Sequence, residues 1–558
     1  MHWSHLLGAV LFASTASAEP AASLPTAGHT FGPDISAEDF SAHVQVLASD
    51  AFEGRAPGSR GETLTLAYLE QQFRRLGLQP GNGDSFLQRV PMWSTTADPA
   101  TTLDIAFADG RQRLAFGDDM VVSTTTGQAE VRIEDSDLVF VGYGVEAPEA
   151  DWHDYRVDVR GKTVLVLVND PGFHAGDASL FQGRRMTYYG RWTYKFEEAV
   201  RQGAAAALII HDSAGAGYDW GVVRNSWGGT QFDLPASEDP EPRLPLQGWI
   251  SGDAAERLFA RSGLSLTELR LAANRRGFKP VPLSAKLSAT LRSRVETAAS
   301  HNVVAKLPGK THPDEAIVYM GHWDHLGRND TLTDDPIFNG AIDNATGIAG
   351  LLEIAEAFVT QEQPPQRSLL FLATTLEESG LLGSKYFVAH PPLPLREMVA
   401  AINLDALQLP GRSRELTVVG LGNSELEDLL RPIAAQQQRV LVGEAAPELG
   451  QYYRSDHFNF ARAGVPALYA KSGLDLVEGG RSAGEAWSAR YSRERYHQPA
   501  DEYDANWDLT GVVDDLAALY KVGRELAHSR AWPNWYAGNE FRAVRDAARP
   551  VSELSSEP

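Results

Sequence analysis

Apolar positions set the first divisions of the chain. Ser36-Ala37-Glu38-Asp39 has the character of a capped helix start, and Phe40, Val44, Leu47 and Ala48 follow on one helical face. The run Glu53-Gly54-Arg55-Ala56-Pro57-Gly58-Ser59 breaks that pattern. A second helix is expected over Gly61–Leu76, carrying Leu64, Ala67, Tyr68, Phe73 and Leu76 and ending at Gly77. Residues 86–134 alternate apolar and polar positions and read as strands. From about 135 the strands become more fully apolar: Leu138–Val141 ending in glycines, Thr163–Val168 and Ala204–Ile210, with a helical stretch Phe196–Gln202 between the last two.

From about residue 300 strand and helix alternate. Strands are expected at Ala316–Met320, Ser368–Ala373, Val399–Ile402, Leu416–Val419 and Val465–Ala470. Helices are expected at Ile348–Val359, Gly380–His390, Glu425–Gln437 and Leu509–His528. On the Ile348–Val359 helix, Glu353 and Glu356 read as solvated. Such alternation implies an α/β fold, a mixed, mostly parallel sheet with helices on both faces. The β-rich block before it reads as an insertion, because the alternation resumes only after it. In sheets of this kind, sites form beyond the carboxyl ends of strands.

Composition narrows the setting. The chain has 558 residues, a net charge of −23 and no cysteine. The length leaves room for two to four domains. The acidic balance argues against nucleic acid or an anionic membrane as partner. Without cysteine there is neither a disulfide nor a lipid-bearing Cys. Leu6–Phe12 is a short apolar core followed by Ala16-Ser17-Ala18, so residues 1–18 read as a secretory signal, although its start has His2 and His5 in place of Lys or Arg. Residues 19–35 read as a flexible leader. No later stretch is long and apolar enough for a membrane span. The expectation is an exported protein, periplasmic or secreted.

The chemistry gathers at strand ends. After Ala316–Met320 comes Gly321-His322-Trp323-Asp324-His325. Residues two apart on extended chain share a side, so His322 and Asp324 can act together, a metal-binding His with the carboxylate that takes its second N–H. Asn339-Gly340-Ala341-Ile342-Asp343-Asn344-Ala345-Thr346-Gly347 puts a second acid where a loop enters a helix. Glu377-Glu378 follows Ser368–Ala373, Asp405 follows Val399–Ile402, and His497 and Asp501 stand near the end of the alternating region. Two His and several carboxylates suit zinc, with manganese or cobalt as alternatives. Two ions about 3.5–4 Å apart with a bridging carboxylate account for five ligands, and one glutamate of the Glu377-Glu378 pair is then left to act as a general base.

These motifs resemble those of the M28 family of co-catalytic zinc peptidases. Gly321–His325, Gly340–Gly347, Glu377-Glu378-Ser379-Gly380-Leu381-Leu382-Gly383-Ser384, Asn403-Leu404-Asp405 and Tyr496-His497 match the family in order and spacing, and Ser455-Asp456-His457 resembles a further segment near its substrate pocket. The resemblance implies that His322, Asp343 and Asp405 serve one zinc, and Asp343, Glu378 and His497 the other. It implies Glu377 as the base, Asp324 and Asp501 orienting the two histidines, and a cis bond between Asp343 and Asn344. It gives a catalytic domain over 36–115 and 296–530, an inserted block at 116–295 that looks like a protease-associated (PA) domain, and a tail at 531–558. The implied function is hydrolysis of N-terminal residues from peptides by metal-activated water. Rivals are a carboxypeptidase or dipeptidase on the same scaffold, a non-catalytic binding protein, and a glutaminyl cyclase. The first rival needs cations for a substrate carboxylate, for which Arg184, Arg185, Arg191 and Arg454 are candidates. Of these, Arg191 lies in Tyr189-Gly190-Arg191-Trp192, read as half-exposed packing rather than as cleft wall.

Overall fold

The computed structural model describes residues 29–183 and 185–548. The expected secretory signal, most of the leader, Arg184 and the last ten residues of the expected tail lie outside the described residues. Among the described residues, no helix is long and apolar enough to cross a membrane.

The alternating region forms a mixed sheet, as expected. At its centre His312–His322 runs parallel to Arg367–Thr374 on one side and to Met398–Asn403 on the other, and Met398–Asn403 is parallel to Ala467–Ser472. Antiparallel strands close both sides, Val281–Leu307 against Arg367–Thr374 and Glu415–Val418 against Ala467–Ser472. Side chains two apart share a face. Ile317 and Tyr319 therefore pack with Phe40, Tyr68 and Leu516 in one core, while Val318 and Met320 pack with Phe387 and Phe460 in another. This is why the central strands are apolar without a break: both faces are covered by helices.

The local rules of the chain hold at the helices. Ser36 caps Ala37–Leu47 by accepting the Asp39 N–H, and Ser59 caps Arg60–Arg75 by accepting that of Glu62. The helix Thr346–Thr360 is buried between others, which corrects the solvated reading of two of its acids. Glu353 accepts the Ser36 N–H at 2.9 Å, and Glu356 takes a two-pronged bond from Arg75 at 2.8 and 2.7 Å. The helix Gly480–Glu494, which leads to His497, has no counterpart in the sequence reading. Gly484 is its one buried residue, and only the half-buried Trp487 and Tyr491 pack against the core, so its apolar face is narrow.

The inserted block has its own α/β layer. Thr163–Leu167, Ala206–Ile210 and Leu246–Ile250 are parallel neighbours. Phe196, Val223 and Trp249 pack on one face of this sheet, and Ala254, Leu258 and Phe259 on the other. One strand joins the block to the rest. Val281–Leu307 pairs with Glu130–Phe140 through its first half and with Leu87–Ala97 through its second. The 295/296 junction falls inside this strand. A second tie is Thr230–Asp233, which pairs with Leu87–Ala97.

The helix Thr510–His528 lies close enough to the sheet that Tyr319 Oη donates to the Leu519 carbonyl at 2.8 Å. A Cβ at Gly523 would overlap that buried hydroxyl. Gly523→Ala is expected to destabilise the fold by about 1–3 kcal/mol through overpacking. A thermal midpoint unchanged from wild type would show that the helix can move away.

Candidate metal centre

Four chain segments meet beyond the carboxyl ends of the central strands, and side-chain bonds to backbone lock them together. Arg55 is buried and donates to the carbonyls of Trp323 at 2.8 Å, Leu47 at 2.7 Å, Asn339 at 2.6 Å and Gly340 at 2.8 Å. It thereby ties the His322–Asp324 segment to the loop that carries Asp343. Asn344 ties that loop to the segment around Asp405. Its Nδ2 donates to the Leu404 carbonyl at 3.0 Å, and its Oδ1 accepts from Gly347 N at 2.9 Å and Ala406 N at 3.1 Å. The Asp343–Asn344 peptide bond is cis. Asp324 Oδ1 accepts from Glu377 N at 3.2 Å, which links the first segment to the glutamate pair.

The expected ligands come together in two halves that share Asp343. His322 Nε2 stands 3.3 Å from Asp343 Oδ1 and 3.4 Å from Asp405 Oδ1. His497 Nε2 stands 3.2 Å from Asp343 Oδ2 and 3.1 Å from Glu378 Oε2. Two ligands about 2.0–2.1 Å from one tetrahedral ion are separated by about 3.3–3.4 Å. The separations around His322 equal that edge and exceed the usual N–H···O length; those around His497 fall just short of it. Asp343 offers a different oxygen to each histidine, the disposition of a bridging carboxylate.

Glu377 lies in the His322 half, with ligand atoms of His322, Glu377 and Asp405 all within 4.8 Å of one another. His325 reaches Glu378 Oε1 through Nδ1 at 2.6 Å, as a hydrogen-bonded residue of the loop. The two proposed orienting acids differ. The His322 Nδ1 faces Asp324, with the backbone carbonyl at 3.1 Å and the carboxylate at 3.8 Å. Asp501 is not beside the His497 Nδ1. It accepts the N–H groups of Ile342 and Asp343, and so holds the bridging loop instead. The group at His497 Nδ1 is Ser226 Oγ, at 2.9 Å.

The charges call for cations. Burial opposes charge on His322, but Glu377, Asp343 and Asp405 outweigh it and push its pKa well above the ordinary value. His497, buried too, is driven up to about 10 by Glu378 and Asp343. Against burial, the histidines hold Asp343 well below the usual carboxylate range, and His497 draws Glu378 down to about 2. Burial, with repulsion from Asp405 and Glu378, pushes Glu377 well up. Two buried cations stand near, but Arg55 is engaged with carbonyls, and Lys471 with the Ala406 carbonyl and the Tyr469 hydroxyl. The donor set, its spacing and its unmet negative charge fit two divalent ions.

In the sequence, Arg55 reads only as part of a helix break. Its one signal was a charged residue inside a turn. Arg55→Met leaves four buried carbonyls without their donor and is expected to cost more than about 3 kcal/mol. Lysine should not restore it, because one ammonium cannot reproduce the guanidinium fork. Chemical denaturation of both variants checks this, and a stable Arg55→Lys protein would refute it.

The cleft above the centre is lined by both parts of the chain. Glu377, Glu378, Tyr496 and His497 form its floor, and Arg191, Trp192, Ser226 and Trp227 come from the insert. This corrects the reading of Arg191 and Trp192 as simple packing.

Known proteins are similar to this chain. Residues 302–520 match the model of Peptidase family M28. A relative from Aspergillus oryzae, named "probable leucine aminopeptidase 2", is 25% identical over 523 residues, which cover 91% of this chain and 84% of the relative. Aminopeptidase NAALADL1 of Mus musculus is 31% identical over 137 residues, 23% of this chain, and the match spans only 17% of the mouse protein. The solved aminopeptidase from Aneurinibacillus sp. strain AM-1 shares the fold, with a TM-score of 0.52 at 21% identity over 88% of this chain and 94% of that one. With its motifs in order and its strand ends converging, the chain carries over residues 302–520 a region that matches peptidase family M28.

Proposed function

We propose that this chain is an exported di-zinc exopeptidase that removes N-terminal residues from peptides. The observation that carries the reading is the position of Asp343 between His322 and His497, one oxygen toward each. His322, Asp405 and Asp343 would hold one ion, and His497, Glu378 and Asp343 the other. Bound there, zinc supplies a Lewis acid for the scissile carbonyl and lowers the pKa of water. Glu377 takes the proton of the attacking water and passes it to the leaving amine. Its upward-shifted pKa is the direction a base working near neutrality requires. Asp324 and its backbone carbonyl keep the His322 proton on Nδ1, leaving Nε2 free as a ligand. The names of the fungal and mouse relatives support an aminopeptidase. Export rests on the sequence of residues 1–18. The insert, as a PA-like domain, supplies one wall of the cleft.

One observation favours the carboxypeptidase or dipeptidase reading. Arg191 is buried at the cleft, and its Nε has no hydrogen-bond partner among the described residues. Its charge is opposed by burial and by Arg454 nearby. A substrate carboxylate would satisfy it. Arg454 and Arg185 are less free, since they donate to the carbonyls of Ala216 and Leu421.

Two measurements separate these roles. Glu377→Gln should lower turnover by at least about 10²–10⁴-fold while both ions stay. Glu378→Gln should lose the ion of the His497 half. Metal content and turnover are read side by side; the opposite pattern of metal loss would exchange the two roles. Blocking either end of a peptide tests direction. Acetylation of the N-terminus should stop cleavage and C-terminal amidation should not, and the reverse would establish the carboxypeptidase reading.

A further inference from the structure

The two histidines of the centre are held by different parts of the chain. His322 turns Nδ1 toward Asp324, two residues away in its own segment. His497 turns Nδ1 toward Ser226, on the helix Trp220–Trp227 of the insert. Ser226 is not alone in this contact. The adjacent Asn225 donates through Nδ2 to the His497 carbonyl and to Gln498 Oε1, both at 3.2 Å. Gln231 Nε2 donates back to the Ser226 carbonyl at 2.9 Å, which steadies the end of that helix. His497 itself has φ +54°, a left-handed conformation that a histidine keeps only when its surroundings hold it.

A histidine that binds a metal through Nε2 must carry its proton on Nδ1, and that proton needs an acceptor. Asp501 is occupied by two backbone N–H groups of the bridging loop, so the acceptor facing His497 is the Ser226 hydroxyl. We infer that Ser226 is a positioning residue for the ion of the His497 half, and that the insert controls occupancy of that half by delivering it. The His322 half has its acceptor within the M28 domain and does not depend on the insert in this way. The inference rests on the di-zinc reading. It gives the insert a part in building the metal centre, beyond walling the cleft.

The test uses the full chain. Wild type, Ser226→Ala and Ser226→Thr are dialysed against graded chelator, and zinc per chain is measured at each step. Cobalt-substituted protein is titrated in parallel and followed by its visible absorption. Wild type should bind two ions. Ser226→Ala should keep the first at wild-type affinity and bind the second about 10–100-fold more weakly. Ser226→Thr retains the hydroxyl and should restore the second ion. The thermal midpoint of the metal-free protein should be alike in all three. Wild-type affinity at both steps in Ser226→Ala overturns the inference. So does threonine as weak as alanine, or equal weakening of both ions together with a lower metal-free midpoint, which would make Ser226 a docking contact only. A wild type that binds fewer than two ions overturns the di-zinc reading itself, and this inference with it.

Discussion

The structure depends on keeping several carboxylates together in a buried place. Asp324, Asp343, Glu377, Glu378, Asp405 and Asp501 stand around His322 and His497 with little access to water. Charges of one sign in such surroundings repel strongly and lose hydration. The protein answers in two ways. It binds some of these carboxylates to backbone N–H groups, as at Asp324 and Asp501. It leaves the rest facing a centre that two cations would neutralise. Burial still pushes Asp324 and Asp501 each up to about 7.

Holding such a cluster requires a rigid frame, and the frame is built from polar side chains that bond to backbone. Arg55 bridges the loops of His322 and Asp343 through their carbonyls, and Asn344 bridges the loops of Asp343 and Asp405. Thr346 adds a bond to the Ile342 carbonyl and one from Leu407 N. Each proposed ligand can therefore stay on a short loop without the entropy of a free one. The apolar helices beneath serve the same end, because the strands that carry these loops are packed on both faces.

The insert is tied in by backbone as well as by side chains. The strand Val281–Leu307 belongs to both sheets, so the insert cannot turn freely about a linker. Its aromatic residues Trp192, Phe196 and Trp227 pack edge to face or tilted, with ring centroids 5.2–6.1 Å apart. They present one side to the cleft over Glu377 and His497. Access to the centre is thus shaped by residues distant in sequence from every proposed ligand.

Part of the site was legible in the residues alone, because His322, the Glu377-Glu378 pair and Asp405 each follow a central strand within a short local motif. Strand ends are set by apolar runs, and a ligand one or two residues beyond such an end must face the sheet edge. His322 and Asp405 meet at the sheet edge in accord with that rule, whereas the strand order and the placement of Asp343 and His497 came with the packing. What sequence could not decide were pairings made at long range. Arg55 finds the Trp323 carbonyl 268 residues away, Glu353 finds Ser36 across 317, and His497 finds Ser226 across 271. A motif specifies what a side chain can do, whereas its partner is chosen by which backbone and side chains the packed layers bring within about 3 Å. For that reason Asp501 holds the bridging loop, Arg191 faces the cleft, and a serine of the insert stands behind His497.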